Sequence, residues 1–138
     1  MKLFPLAILV VLALPAVAAL PAVCGPDCHI NASSLPGYDP IVAIIASGTT
    51  VTWHSTDSQH FTRDTSISGA DQCFFADHPG GAASQPIVFD IVGDTLTATD
   101  NGVTSVCGNA MGNGAVGFEM DYFCVLHPFM RASLVVTN

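Results

Sequence analysis

Cys124-Val125-Leu126-His127-Pro128-Phe129-Met130 places a thiol, an imidazole and a thioether within seven residues. The preceding stretch, residues 118–122, alternates apolar residues with Glu119 and Asp121, which is typical of a half-buried β-strand. Cys124 continues the apolar parity, so we expect its sulfur to point into the core. A thiolate in that environment is tolerated only where a cation compensates its charge.

The three donor types in this stretch are those that copper prefers. Soft sulfur donors select copper, imidazole binds it readily, and two His with one Cys and a weak axial Met is a known electron-transfer copper site. Cys124, His127 and Met130 therefore predict a copper site that needs one more His from a distant strand. The alternative is a chance grouping of a buried Cys, a surface His and a core Met.

The remaining ligand is predicted after the strand Thr50-Val51-Thr52-Trp53. Its β-branched and aromatic content favours a strand, and the polar residues 55–59 are typical of a turn that leads to His60. We predict His60 as the fourth ligand. His54, directly after Trp53, is the rival candidate.

At these residues the chain resembles the cupredoxins, the small blue copper proteins that include plastocyanin and amicyanin. The matching segments are residues 48–53, 57–60 and 122–131, and the ligand spacing with Pro-Phe after the His is most similar to amicyanin. The resemblance implies one copper ion bound by His60, Cys124, His127 and Met130. It also implies a single-electron carrier, not an enzyme, with a redox partner docking at the His127 end.

The chain departs from the cupredoxin pattern beside the ligands. The family often has small polar residues after the first His and after the Cys, and these bond to one another; here they are Phe61 and Val125. Ala132 replaces the Gly that is usual two residues after the axial Met. These departures keep open an alternative function, copper binding or delivery without electron transfer. Four protein ligands leave no open position for a substrate, which disfavours an oxidative enzyme.

The N-terminus has the features of a secretory signal. Met1-Lys2 precedes the apolar run 3–17, and Ala16-Val17-Ala18 is a small-residue cleavage pattern. We predict a signal peptide at 1–18 and a single cupredoxin-like domain at 19–138, secreted, or periplasmic in a bacterium. No later apolar stretch is long enough to cross a bilayer.

Secretion affects how the five cysteines are interpreted. Apart from Cys124, four thiols in an oxidising compartment should form two disulfides, with three pairings open: Cys24, Cys28, Cys73 and Cys107. A zinc site that includes His29 is the less favoured alternative. We interpret His29 and His78 as structural or solvent-exposed, and Asn31-Ala32-Ser33 is a glycosylation sequon.

The charge of the chain bears on its partners, and its strand pattern predicts the fold class. A formal charge of −8 makes nucleic acid and anionic membranes poor partners, and we expect a monomer. Short β-rich runs between turn residues predict an all-β Greek-key sandwich of seven to eight strands. The runs are residues 28–31, 41–45, 49–53, 87–91, 95–99, 103–106, 116–122 and 134–137. Residues 66–84 and 108–117 are predicted to be irregular.

Overall fold

The computed structural model describes residues 20–65, 73–109 and 117–138, which contain twelve strands and no helix. The predicted signal peptide lies outside these residues. The strands are β1 Ala22–Val23, β2 Asp27–Ala32, β3 Tyr38–Asp39, β4 Val42–Ala46, β5 Thr49–Ser55, β6 His60–Asp64, β7 Phe75–His78, β8 Ile87–Val92, β9 Thr95–Asp100, β10 Val103–Asn109, β11 Phe118–Cys124 and β12 Arg131–Thr137. Within the described part, there is no helix that could span a membrane.

The strands form two six-stranded sheets. One has the order β1-β4-β12-β11-β6-β7 and the other the order β10-β9-β8-β5-β2-β3. Buried and more exposed residues alternate along β2, β5 and β12, as expected where one face of each sheet packs on a core and the other faces solvent. The predicted all-β sandwich is confirmed.

An aromatic cluster fills the core between the sheets. Trp53 stacks on Phe74 with ring centroids 5.2 Å apart and meets the edge of Tyr122 at 5.7 Å. Phe89 contacts both Trp53 and Phe74 edge to face. All four side chains are buried, and each aromatic pair adds about 0.5–1.5 kcal/mol beyond the area that it buries.

The predicted strand count was too low. Strands were expected where long β-branched runs occur, and β4, β5, β8 and β9 begin within one residue of the predictions. β1 and β3 have only two residues each, too few for a sequence pattern. The irregular prediction for residues 66–84 was wrong at β7, because that strand is defined by pairing with β6. The loop predicted at 108–117 was wrong at its first two residues, because β10 extends to Asn109. Residues 110–116 of that prediction lie outside the described residues.

Two disulfides select one of the three open pairings. Cys24 bonds to Cys28, and Cys73 bonds to Cys107 across a sequence separation of 34. The Cys24–Cys28 disulfide links the segment after β1, in one sheet, to β2 in the other sheet. Because the Cys73–Cys107 disulfide closes a long loop, it restricts the unfolded chain and stabilises the fold by about 4 kcal/mol. Cys124 remains a free, buried thiol, as expected of a metal ligand.

Candidate metal centre

The centre is built where β6 begins and β11 ends. These strands are antiparallel neighbours, and the Cα partner of Cys124 is Thr62. Because one strand starts where the other stops, His60 and Cys124 lie at the same pole of the sandwich. The chain then loops through His127 and enters β12 at Arg131.

Three donor atoms converge at this pole. The Cys124 Sγ lies 3.6 Å from the Nδ1 of His60 and 3.7 Å from the Nδ1 of His127. The two imidazole rings are 4.9 Å apart between centroids. Cys124 and His60 have no solvent exposure, whereas His127 is half-buried. The structure thus brings together three of the four predicted ligands from two distant parts of the sequence.

The His60 turn, residues 55–60, fixes the orientation of the first ligand. The Nε2 of His60 lies 2.8 Å from the Oδ1 of Asp57, and this carboxylate also accepts bonds from the backbone N–H groups of Ser34 and Ser58. With Nε2 donating to Asp57, the lone pair of Nδ1 faces the sulfur, as metal ligation requires. The bond from His60, with the two backbone bonds, holds the pKa of Asp57 well below its usual value.

The ligand loop, residues 124–130, is closed by its own main chain. The N–H of Cys124 donates to the carbonyl of Met130 at 3.1 Å, and the N–H of Met130 donates to that of His127 at 2.8 Å. The N–H of Val125 donates to the carbonyl of Phe61 at 2.8 Å. This backbone bond joins the loop to β6 at the two positions where the expected polar pair is missing. Phe61 packs its ring on Phe75 instead.

Met130, the fourth predicted ligand, is buried at the end of the loop. Its Cγ lies 4.0 Å from where a Cβ on Gly37 would stand, so it is covered by the turn before β3. Its role as axial ligand stays a prediction.

Solved protein structures with a similar fold identify the fold of this chain. No family model matches the chain, and no curated protein sequence matches it. Among solved structures, a purple cupredoxin from Nitrosopumilus maritimus is 21% identical, with a TM-score of 0.54 over 80% of this chain and 100% of that one. Amicyanin from Paracoccus versutus is 21% identical, with a TM-score of 0.50 over 89% and 84% of the two chains. The chain has a cupredoxin-like fold.

A larger protein contains the same fold. A copper-containing nitrite reductase from Thermus scotoductus SA-01 is 18% identical, with a TM-score of 0.51 over 94% of this chain. The match covers only 25% of the reductase, so it concerns one part of that protein. The cupredoxin-like fold predicted from the ligand segments is confirmed.

The donor set of this cupredoxin-like pole fits a metal ion. Nitrogen and sulfur donors at ordinary metal–ligand bond lengths, separated by a trigonal angle, stand about 3.7 Å apart. The two distances from the Cys124 Sγ to the histidine nitrogens agree with that separation. The sulfur is also completely buried, where an uncompensated thiolate would be costly.

The remaining histidines lie outside the three-donor cluster. His54, the rival to His60, directs its Nε2 to the Nδ1 of His29 at 2.8 Å. His78 was predicted to be structural or exposed; it is fully buried and stacks on His60 with ring centroids 5.6 Å apart. Burial, together with the nearby His60, lowers the pKa of His78 to about 4, so its ring is neutral at neutral pH.

A buried hydroxyl network supports the start of β6. The Oγ1 of Thr62 lies 2.9 Å from the Nε2 of His78 and 2.6 Å from the hydroxyl of Tyr38. All three side chains are buried. The network was not foreseen, because its members come from β3, β6 and β7 and meet only in the folded chain.

An apolar rim surrounds the exposed edge of His127. It consists of Val125, Leu126 and Phe129, which are 42%, 51% and 68% exposed. The Phe129 ring contacts that of His127 edge to face at 5.9 Å. The one partly accessible donor of the cluster is thus bordered by apolar side chains without charge.

Proposed function

We propose that this chain is a secreted type 1, or blue, copper protein that transfers single electrons. His60, Cys124, His127 and Met130 would hold one copper ion. The observation that carries the proposal is the buried Cys124 sulfur flanked by two imidazole nitrogens at nearly equal distances. This is the trigonal donor set of electron-transfer copper sites.

A bound copper ion would supply a reversible one-electron change between Cu(I) and Cu(II). The contribution of the chain is to keep its donors in place through that change. Asp57 holds His60, the main-chain bonds of the ligand loop hold Cys124 and His127, and burial excludes water from the sulfur. Ligands braced in this way need little rearrangement when the charge changes.

The apolar rim supports a docking role for the His127 end. An electron must enter or leave close to the ligands, and His127 is the donor of the cluster with solvent access. A small apolar contact suits a transient redox complex, which buries less area than a permanent one. We propose an unidentified redox protein as the partner.

Secretion is supported by the chemistry of the cysteines. Two disulfides form readily in the periplasm or outside the cell and are rare in a reducing cytosol. They agree with the signal peptide predicted at 1–18. A monomeric chain with no nucleic-acid or membrane partner is part of the same proposal.

The alternative of copper delivery rested on the missing polar pair at Phe61 and Val125. The backbone bond between these residues joins β6 to the ligand loop without polar side chains. Because β6 and the ligand loop are bonded to each other, their ligands are expected to retain a copper ion and not to release it to another protein. Electron transfer is therefore the better supported function, and a slow metal exchange rate with fast electron self-exchange is expected.

Absorption spectroscopy of the copper-loaded protein tests the proposal. We expect an intense blue band from charge transfer between the thiolate and copper, which bleaches on reduction and returns on reoxidation. Cys124→Ser should abolish the band. Met120→Leu removes another buried sulfur from the same face of β11 and should keep it. A colourless wild-type protein, or a blue Cys124→Ser variant, would reject the proposed site.

A further inference from the structure

A second pair of histidines lies on the outer face of the other sheet. His29 is in the middle of β2 and His54 near the end of β5, two parallel neighbouring strands. His29 is exposed and His54 is half-buried. Both point away from the core, because buried residues alternate with them along each strand.

The two rings face each other at short range. The Nδ1 of His29 lies 2.8 Å from the Nε2 of His54, and the ring centroids are 4.9 Å apart. The backbone on both sides is fixed, since β2 and β5 pair over six residues and His54 also bridges to Ala83. The two nitrogens are therefore held together by the sheet and accessible from solvent.

The surroundings of the pair favour a cation. The other outward residues of β2 are Asp27 and Asn31, and Asn31 is the Cα partner of His54. Asn31 has an amide oxygen on the same face, and Asp27 adds negative charge to it. Neither strand contains a Lys or Arg, and the chain as a whole has a formal charge of −8.

We propose that His29 and His54 form a second copper site, which binds Cu(II) at the surface independently of the buried centre. Imidazole nitrogens with oxygen or water as further ligands are a donor set for Cu(II), which binds most tightly of the divalent first-row metals at such sites. This ion would have no sulfur ligand, so it would add no blue colour.

The two nitrogens stand at hydrogen-bond distance, and that spacing is also compatible with neighbouring ligands of Cu(II). Metal–nitrogen bonds of about 2.0 Å to atoms 2.8 Å apart enclose an angle of about 90°, the angle between neighbouring ligands in a square-planar site. A tetrahedral zinc ion with the same bond length needs nitrogens about 3.3 Å apart. A Cu(II) ion could therefore replace the hydrogen bond between the rings with little movement of either nitrogen.

Titration of the copper-loaded protein with copper sulfate tests this site. We expect one further equivalent per chain, detected by calorimetry and by an EPR signal with wide copper hyperfine splitting, and no increase in blue absorbance. His29→Ala or His54→Ala should weaken this second equivalent by at least about tenfold, the lower end of what loss of even an outer partner costs. Thr52→Ala, on the same face of β5, is the matched control and should bind as the wild type does.

Equal binding by the wild type and a His29→Ala, His54→Ala double variant would overturn the proposal, since the pair would then be only a hydrogen-bonded contact. Failure of this site is distinguishable from failure of the blue copper centre. In a Cys124→Ser background, the blue band is lost, but the double variant should still bind one equivalent fewer than its parent. Because His29 is exposed, His29→Ala should not disturb the packing of the core or the folding of the protein.

Discussion

The two segments that form the metal centre are held in different ways. The ligand loop is closed by main-chain bonds between its own members, Cys124, His127 and Met130. The His60 turn is held by the Asp57 side chain, which bonds to His60 and to the backbone of Ser34, 23 residues earlier in the sequence. Main-chain bonds from the start of the turn also run to distant carbonyls, those of Ala32 and Ala82. The ligand loop is ordered by bonds between its own residues, whereas the His60 turn depends on bonds to distant parts of the chain.

This difference predicts where the centre is vulnerable. A side-chain substitution in the ligand loop leaves its main-chain bonds intact, so copper binding should depend there only on the ligand side chains. In the His60 turn, residues that never touch the metal should also affect binding.

The largest effect is expected from His60→Ala. Loss of a ligand should remove the blue band and weaken copper binding by more than about a hundredfold, beyond the range for residues that only support a ligand. Added imidazole should restore part of the colour by entering the space that the side chain leaves. His54→Ala is the matched control, since the structure directs His54 to His29, and its blue band should be unchanged. The reverse result would make His54 the ligand.

A smaller effect is expected from Asp57→Ala. This change removes the acceptor that orients His60, and supporting residues of this kind contribute about 10–100-fold to metal affinity. Asp57→Asn keeps an acceptor oxygen and should fall between this variant and the wild type. Asp94→Ala, an exposed position in the turn between β8 and β9 of the other sheet, serves as the control. If Asp57→Ala bound copper as tightly as the control does, the His60 turn would not depend on its side chains.

Thr62→Val should act on stability. It leaves the buried Tyr38 hydroxyl and the buried Nε2 of His78 without their shared partner, and one such group costs about 1–3 kcal/mol. We expect the free energy of unfolding of the copper-free protein, measured with a chemical denaturant, to fall by about 2 kcal/mol. Thr62→Ser keeps the hydroxyl and should lose much less. Equal losses in the two variants would assign the effect to packing.

The smallest effect on the folded state is expected from Phe129→Ala in the ligand loop. The side chain is 68% exposed, so stability should change by no more than about 0.5 kcal/mol, and the blue band should persist. Electron self-exchange, measured by NMR line broadening, should nevertheless slow, because the apolar rim is reduced. Val92→Ala, 61% exposed on β8, should change neither property. An unchanged exchange rate in Phe129→Ala would exclude the rim as the contact surface.

The same contrast explains what the sequence could predict. Strands β4, β5, β8 and β9 carry β-branched runs that favour their conformation on their own. The inward parity of Met120, Tyr122 and Cys124 was also predicted and is confirmed by their burial. β1, β3 and β7 exist because of their neighbours: each is short, and its residues become a strand by pairing with another strand.

The candidate site was predictable to the same extent. The ligand loop could be recognised because its three donors lie within seven residues. The roles of Asp57 and Thr62, and the pairing of His29 with His54, depend on which strands become neighbours. An Asp three residues before a predicted ligand His, in a turn, is the one local signal that could have pointed to Asp57. The disulfide pairing likewise required the fold, since the cysteine count alone allows three arrangements.

EPR of the wild-type protein loaded with a single equivalent of Cu(II) tests the central claim most directly. If Cys124, His60 and His127 bind the ion together, the copper hyperfine splitting will be narrow, because the unpaired electron is shared with the thiolate sulfur. A single equivalent also keeps the surface pair from contributing to the signal. A wide splitting would mean that the ion does not bind to Cys124, and would contradict the assignment of this pole as a blue copper site.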